Sequence, residues 1–147
     1  KLPNGNYVAA HYADRCVREY DSAGRVLREI ATPYSAFGVA PLPNGNLLVS
    51  CERAVVEYDP ESRAVWSLFE DEIPGLRFQF LTGIQALPNG NVLICNWLGH
   101  KKEGQGEPVF EITRDKRIAW LFSDTKQTKW VAAAVPLGPR PEQTAAR

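Results

Sequence analysis

Three observations predict an all-β chain built as a β-propeller of four-stranded antiparallel blades. Leu-Pro-Asn-Gly-Asn occurs three times, at residues 2–6, 42–46 and 87–91. The copies are spaced by 40 residues from Asn4 to Asn44 and by 45 from Asn44 to Asn89, which is the length of one four-stranded blade. Between them run short apolar stretches punctuated by Asn, Asp, Pro and Gly, the pattern of strands joined by tight turns. The expected architecture is about three blades, with the first lacking its opening strand and a surplus opening strand at the C-terminal end.

The first blade, residues 1–35, is expected to have strands at 6–10, 16–20 and 25–30. The second, residues 36–80, is complete, with strands at 36–42, 47–50, 55–58 and 63–69. The apolar run Leu47-Leu48-Val49 suits an inner strand covered on both faces, and the mixed run from Arg63 to Leu68 suits an outer one. The third, residues 81–122, has strands at 81–87, 92–95, 109–113 and 117–122, with a Gly-rich, charged insertion at 97–108. Residues 130–137 read as another opening strand without its turn, and residues 138–147 as a tail.

Other positions keep step with the repeat. Glu19, Glu57 and Glu111 sit at one place, and Arg25, Arg63 and Arg117 six residues later. A Glu and an Arg flanking the same turn are expected to pair across each hairpin, a structural role.

Three blades do not close a ring, since propellers have about four or more. Two arrangements would complete it. Either the chain is a portion of a longer one of some six or seven blades, or two copies assemble head to tail, the surplus strand of each completing the first blade of the other. The absence of any Met means that the original N-terminus was removed, lies upstream or is not included.

Composition narrows the function classes. Among 147 residues, 17 are basic and 17 acidic, and the basic residues are scattered apart from Lys101-Lys102. Nucleic acid is therefore not an expected partner, since phosphate binding needs clustered positive charge. No apolar run approaches the roughly 20 residues of a membrane span, and no signal-peptide pattern is present, so no membrane partner is expected. The compartment stays open, an extracytoplasmic origin included if a segment lies upstream. Cys16, Cys51 and Cys95 form no metal-binding spacing and are expected to be buried apolar side chains; no metal and no cofactor are expected.

The blade pattern resembles the bacterial β-propeller repeats of the arylsulfotransferase-like and quinoprotein-like type. The residues that carry the resemblance are Leu42-Pro43-Asn44-Gly45-Asn46 and Asp59-Pro60-Glu61-Ser62-Arg63-Ala64-Val65-Trp66. The step from Asp59 to Trp66 is one residue shorter than the quinoprotein docking motif and lacks its Thr-Gly, so the resemblance does not extend to a quinone cofactor. No position corresponds to the sulfotransferase catalytic histidine, so that activity is not carried over.

In an up-and-down blade the Leu-Pro-Asn-Gly-Asn turns share one face of the disc with the other short turns. The longer connections, residues 11–15, 32–35, 51–53, 70–80, 96–108 and 123–129, share the opposite face. Binding residues concentrate on loops held by a rigid scaffold, so that face is the expected site for a small polar or protein ligand. The candidate ligand-binding residues are Arg15, Tyr34, Arg53, Arg77, Phe78, Asn96, Trp97, His100 and Lys102. Trp97 and Phe78 would stack on a flat or sugar-like ligand, with Arg77, His100 and Lys102 meeting an anion. The alternative is a propeller enzyme, a lyase, hydrolase or transferase for a polar or anionic substrate at the channel mouth, with His11 or His100 as acid or base. His11, Cys51 and Asn96 each follow their turn by the same interval, which places them on different blades and predicts a shared rim position rather than a catalytic trio.

Overall fold

A computed structural model describes residues 1–124 and 128–137. Among the described residues, eleven strands form three antiparallel sheets. Blade 1 is β1 (Tyr7–His11), β2 (Cys16–Tyr20) and β3 (Val26–Ala31). Blade 2 is β4 (Ala36–Pro41), β5 (Leu47–Cys51), β6 (Ala54–Tyr58) and β7 (Ala64–Phe69), and blade 3 is β8 (Leu81–Ala86), β9 (Val92–Asn96), β10 (Val109–Ile112) and β11 (Ile118–Phe122). Within each sheet the strands pair in chain order, so these are up-and-down blades, and the molecule is a three-blade arc of a β-propeller.

The repeated turn is a four-residue reverse turn followed by a glycine bulge. In each copy the glycine N–H bonds the leucine carbonyl at 2.9–3.0 Å, and the leucine N–H bonds the final asparagine carbonyl at 2.8 Å. Only the glycine takes a positive φ, between 85° and 91° in Gly5, Gly45 and Gly90. The final asparagine then reaches inward: Asn6, Asn46 and Asn91 donate to Glu19, Glu57 and Glu111 at 2.7, 2.6 and 2.7 Å. The motif therefore carries its own acceptor, one strand pair away, and this explains why turn and glutamate recur together.

The expected Glu–Arg pairing across the hairpin does not form. Arg25, Arg63 and Arg117 turn back to aspartates of their own turns, Asp21, Asp59 and Asp115, at 2.6–2.7 Å. Glu19, Glu57 and Glu111, each beside a bulge, stand opposite Arg28, Trp66 and Trp120, three residues beyond those arginines.

The core lies between blades rather than within them. Val17 and Ile30 of blade 1 meet Leu47, Val49 and Val56 of blade 2, while Leu48, Val55 and Leu68 on the other side of blade 2 meet Val92, Ile94 and Phe110 of blade 3. All five residues of β5 are buried, as an inner strand requires, while β7 is mixed. Polar staples cross the same seams. Arg28 donates to the Pro60 carbonyl (2.6 Å), Trp66 donates to the Arg114 carbonyl (2.9 Å), and Arg114 covers the Trp66 ring at 4.3 Å while pairing with Glu57.

The opening strands approach so closely that only glycine fits. A Cβ on Gly38 would lie 2.5 Å from the Thr82 carbonyl oxygen, and one on Gly83 would lie 2.7 Å from that of Ala132. Residues 130–137 thus sit beside blade 3 as β8 sits beside blade 2, with Gly83 N–H donating to Ala132 at 2.8 Å. Among the described residues they pair in no strand ladder. On this flank Trp120 is 41 % exposed where the equivalent Trp66 is stapled. Residues 138–147, expected to be a tail, lie outside the described residues.

Candidate functional site

The loop of residues 70–80, joining blades 2 and 3, is one of the two long connections on the long-loop face. One 3₁₀ turn, Glu70–Glu72, opens it, and Glu72 accepts the Phe69 N–H at 2.8 Å and pairs with Lys116 of blade 3. That ammonium holds the Glu72 carboxyl below its ordinary range. Ile73, Leu76 and Phe78 are buried in the seam between blades 2 and 3, with Phe78 stacked on Phe110 at 5.6 Å. Because Arg77 lies between two buried residues, it is turned outward.

Two adjoining hollows, of about 730 and 670 Å³, share Arg53, Glu70, Gly75 and Arg77 as their common rim. Arg53 is paired to Glu70 at 3.1 Å. Among the described residues no carboxylate pairs with the Arg77 guanidinium.

Asn96 fixes this loop against the insertion in blade 3. Its side-chain oxygen accepts from the N–H of Gln79 (2.8 Å) and Phe80 (3.2 Å), and its amide donates to the carbonyls of Arg77 (2.8 Å) and Glu107 (3.1 Å). All four bonding directions of the amide are used.

A row of aromatic rings crosses the same face. Tyr12 stacks on Phe80 at 5.7 Å, and Phe37 meets Phe80 edge-on at 5.3 Å. Phe80 in turn meets Trp97 at 5.9 Å, and Trp97 meets His100 at 4.9 Å. The Trp97 ring lies over Gly99, where any Cβ would fall within the indole. Tyr12 and Phe37 remain 49 % and 50 % exposed.

Of the residues expected to bind a ligand, Tyr34, Arg53 and Arg77 line one hollow together, and Trp97 and His100 touch each other. Arg15 and Lys102 are exposed on their loops but line neither hollow. Two expectations are corrected. Phe78 has no exposed surface and belongs to the core, because it alternates with Arg77 and faces inward. Asn96 is fully buried, and its amide holds backbone rather than ligand.

The two histidines differ in setting. His11 lies 2.6 Å from the Tyr20 hydroxyl and 3.5 Å from Arg18, whereas His100 is exposed beside Trp97. The thiols of Cys51 and Cys95 are buried, and burial pushes both up to about 11.

Tyr12, Phe37, Phe80 and Glu70 were not anticipated from sequence. The repeat itself holds the missing signal. Tyr12 and Trp97 each stand six residues past their turn, Phe37 takes the place of Thr82, and Phe80 takes that of Ser35. These aromatics are departures from the blade pattern and are not required by it.

Neither a family model nor a curated protein matches the chain. Among solved structures, a protein of unknown function from Bacteroides caccae is 29 % identical, matches 90 % of this chain and 51 % of its own, and superposes with a TM-score of 0.82. A streptogramin B lyase (12 % identity, 84 % of this chain, 38 % of its own) superposes at 0.63. A catalytically inactive histidine-to-alanine form of virginiamycin B lyase from Staphylococcus aureus, solved with quinupristin, superposes at 0.61 with 14 % identity over 84 % of this chain and 39 % of its own. The chain spans about half the length of the Bacteroides protein and under two-fifths of the lyases. The likeness to the lyases is one of fold alone, and together these structures place the chain among propeller-like folds.

Proposed function

We propose that the chain is part of a larger propeller that binds a polar, anionic ligand through its long-loop face. The observation that carries this reading is the unpaired Arg77 on the rim shared by two hollows, beside the Arg53–Glu70 pair. The guanidinium is presented by a loop whose backbone Asn96 clamps and whose apolar residues are rooted in the core, so an anion would meet a cation already in place. Resemblance to arylsulfotransferase-like and quinoprotein-like repeats is read here as kinship of blades, without their activities.

Calorimetric titration of the chain with glucuronate, citrate and neutral glucose tests the reading. Binding of at least one anion, weakened at least tenfold in Arg77→Ala and unaffected in Lys102→Ala, supports it. No anion binding, or equal binding by the Arg77 variant, refutes it. For the rest of the ring we favour a longer chain over two copies of this one. The Bacteroides caccae structure, of which the chain matches 51 %, carries the remaining length in one chain, and this supports completion by a longer chain. Light scattering distinguishes them: a particle of twice the 16.4 kDa chain mass would support strand exchange between copies.

A catalytic role would rest on His100 or His11. Among the described residues no hydrogen bond orients the His100 ring, whereas His11 is engaged by Tyr20 within its own blade. Should a turnover be found, His100→Ala and His11→Ala decide between the two.

A further inference from the structure

We infer that the row Tyr12, Phe37, Phe80 and Trp97 is a stacking subsite for the flat face of a ring-shaped ligand, a pyranose or an aromatic ring. The inference rests on the reading of the long-loop face as the ligand face, and adds to it the chemical class of the ligand.

Internal repetition supplies a control that a single-copy fold lacks. Whatever the blade architecture needs at a position must be present in every blade, and residues found in only one blade answer to something else. Phe37 occupies the place of Thr82 in the opening strand of blade 3, and that strand forms normally with threonine. Phe80 occupies the place of Ser35, and Tyr12 that of Glu52. Folding is therefore satisfied by Thr, Ser and Glu at these places, yet Phe37 and Phe80 stand in one copy of theirs, and the place of Glu52 is aromatic in the other two blades, as Tyr12 and Trp97.

The rings come from three blades and still converge. Tyr12 stands on the first blade's loop, Phe37 at the start of β4, Phe80 at the end of the loop joining blades 2 and 3, and Trp97 beyond β9. Consecutive centroids are 5.3–6.4 Å apart, with Tyr12 stacked on Phe80 and the other neighbouring rings edge-on, a packed aromatic cluster. Half of the Tyr12 and Phe37 surface is open to solvent. Burying aromatic surface is favourable, and clustering these rings in the open keeps the cost of exposure in place until something covers them.

Two of the rings are also held in position. Phe80 is fixed by its backbone N–H on Asn96, and Trp97 by Gly99, which leaves no space for a side chain beneath the indole. A surface pre-set in this way loses little side-chain entropy on binding. Stacking on such a surface accepts any ring with an apolar face, so sugars and aromatic compounds share the chemistry.

The indole N–H resonances of the full chain provide the test, since it has four tryptophans, Trp66, Trp97, Trp120 and Trp130. The two probes are a neutral pyranose oligomer, cellotetraose, and a neutral aromatic, benzyl alcohol. The expected result is a saturable shift of the Trp97 resonance in one arm, with the other three unmoved. Phe37→Thr, which imports the residue of the equivalent place in blade 3, should weaken that binding about tenfold while preserving the fold. Arg25→Ala, on a short turn of the opposite face, should leave it unchanged. No Trp97 shift with either probe, equal movement of all four indoles, or undiminished affinity in Phe37→Thr overturns the subsite. Loss of anion binding alone would refute the role of Arg77 and leave this result standing.

Discussion

Gly38→Ala should destabilise the chain although the backbone there is of a kind that alanine adopts freely. Gly38 is not among the residues of positive φ, so the substitution creates no backbone strain. In an open strand it would stabilise by about 0.5–1 kcal/mol, through the smaller entropy of the unfolded chain. Here the new Cβ would stand 2.5 Å from the Thr82 carbonyl oxygen and 2.7 Å from the Ser50 hydroxyl. Both atoms belong to one wedge, in which Gly38 N–H donates to Ser50 (3.0 Å) and Ser50 donates to Thr82. Moving β4 away from β8 therefore strains the seam by about 1–3 kcal/mol and weakens two hydrogen bonds worth about 1 kcal/mol each. The net loss is about 2–3 kcal/mol. With a urea dependence of about 2 kcal/mol per molar, the midpoint should fall by roughly 1 M, followed by tryptophan fluorescence. Gly45→Ala is the comparison, because its nearest neighbour would be Pro60 at 3.8 Å and only its φ of +87° is strained, costing about 1 kcal/mol. If Gly38→Ala lost no more than Gly45→Ala, close approach of opening strands would not be what holds the arc together.

Asn96→Ala should cost about 3 kcal/mol, since four backbone groups lose the partner that satisfies them. Hydrogen exchange at the Gln79 and Phe80 amides should accelerate more than at β5, whose ladder is remote from the change. Alkaline pH should destabilise the protein through Cys51 and Cys95. Their folded values, about 11, exceed the ordinary 9.0, so the stabilisation is complete below about pH 9 and is lost as pH rises towards 11. At about 1.4 kcal/mol per pH unit the loss approaches 3 kcal/mol per thiol, measurable as a falling midpoint in urea between pH 8.5 and 11. A flat profile in a Cys51→Ala, Cys95→Ala double variant would assign the effect to these thiols.

The blades were legible because an exact five-residue turn recurs, and a repeat fixes register without any reference to propensity. Residues 16–20 were placed to the residue, and most other strand ends within one. The Glu–Arg pairing failed because each glutamate stands opposite a residue three places beyond its arginine, the bulge supplying one of the three, and because the turn aspartate is the nearer partner of that arginine. On the loops, composition picked out the longer connections and the outward Arg77, but a loop has no periodicity to say which residues point inward. Phe78 and Asn96 were accordingly assigned to ligand when one belongs to the core and the other to the backbone. The aromatic row could have been found by reading the departures from the repeat rather than the repeat itself.

The Leu-Pro-Asn-Gly-Asn turns and the long loops lie on opposite faces, and this offers the most direct test of where a ligand binds. Backbone amide shifts should be mapped during titration with whichever probe binds. The account predicts movement clustered in residues 70–80 and 96–108, around Arg77 and Trp97, with the turns at 2–6, 42–46 and 87–91 unmoved. Movement centred on those turns, with residues 70–80 silent, would contradict it.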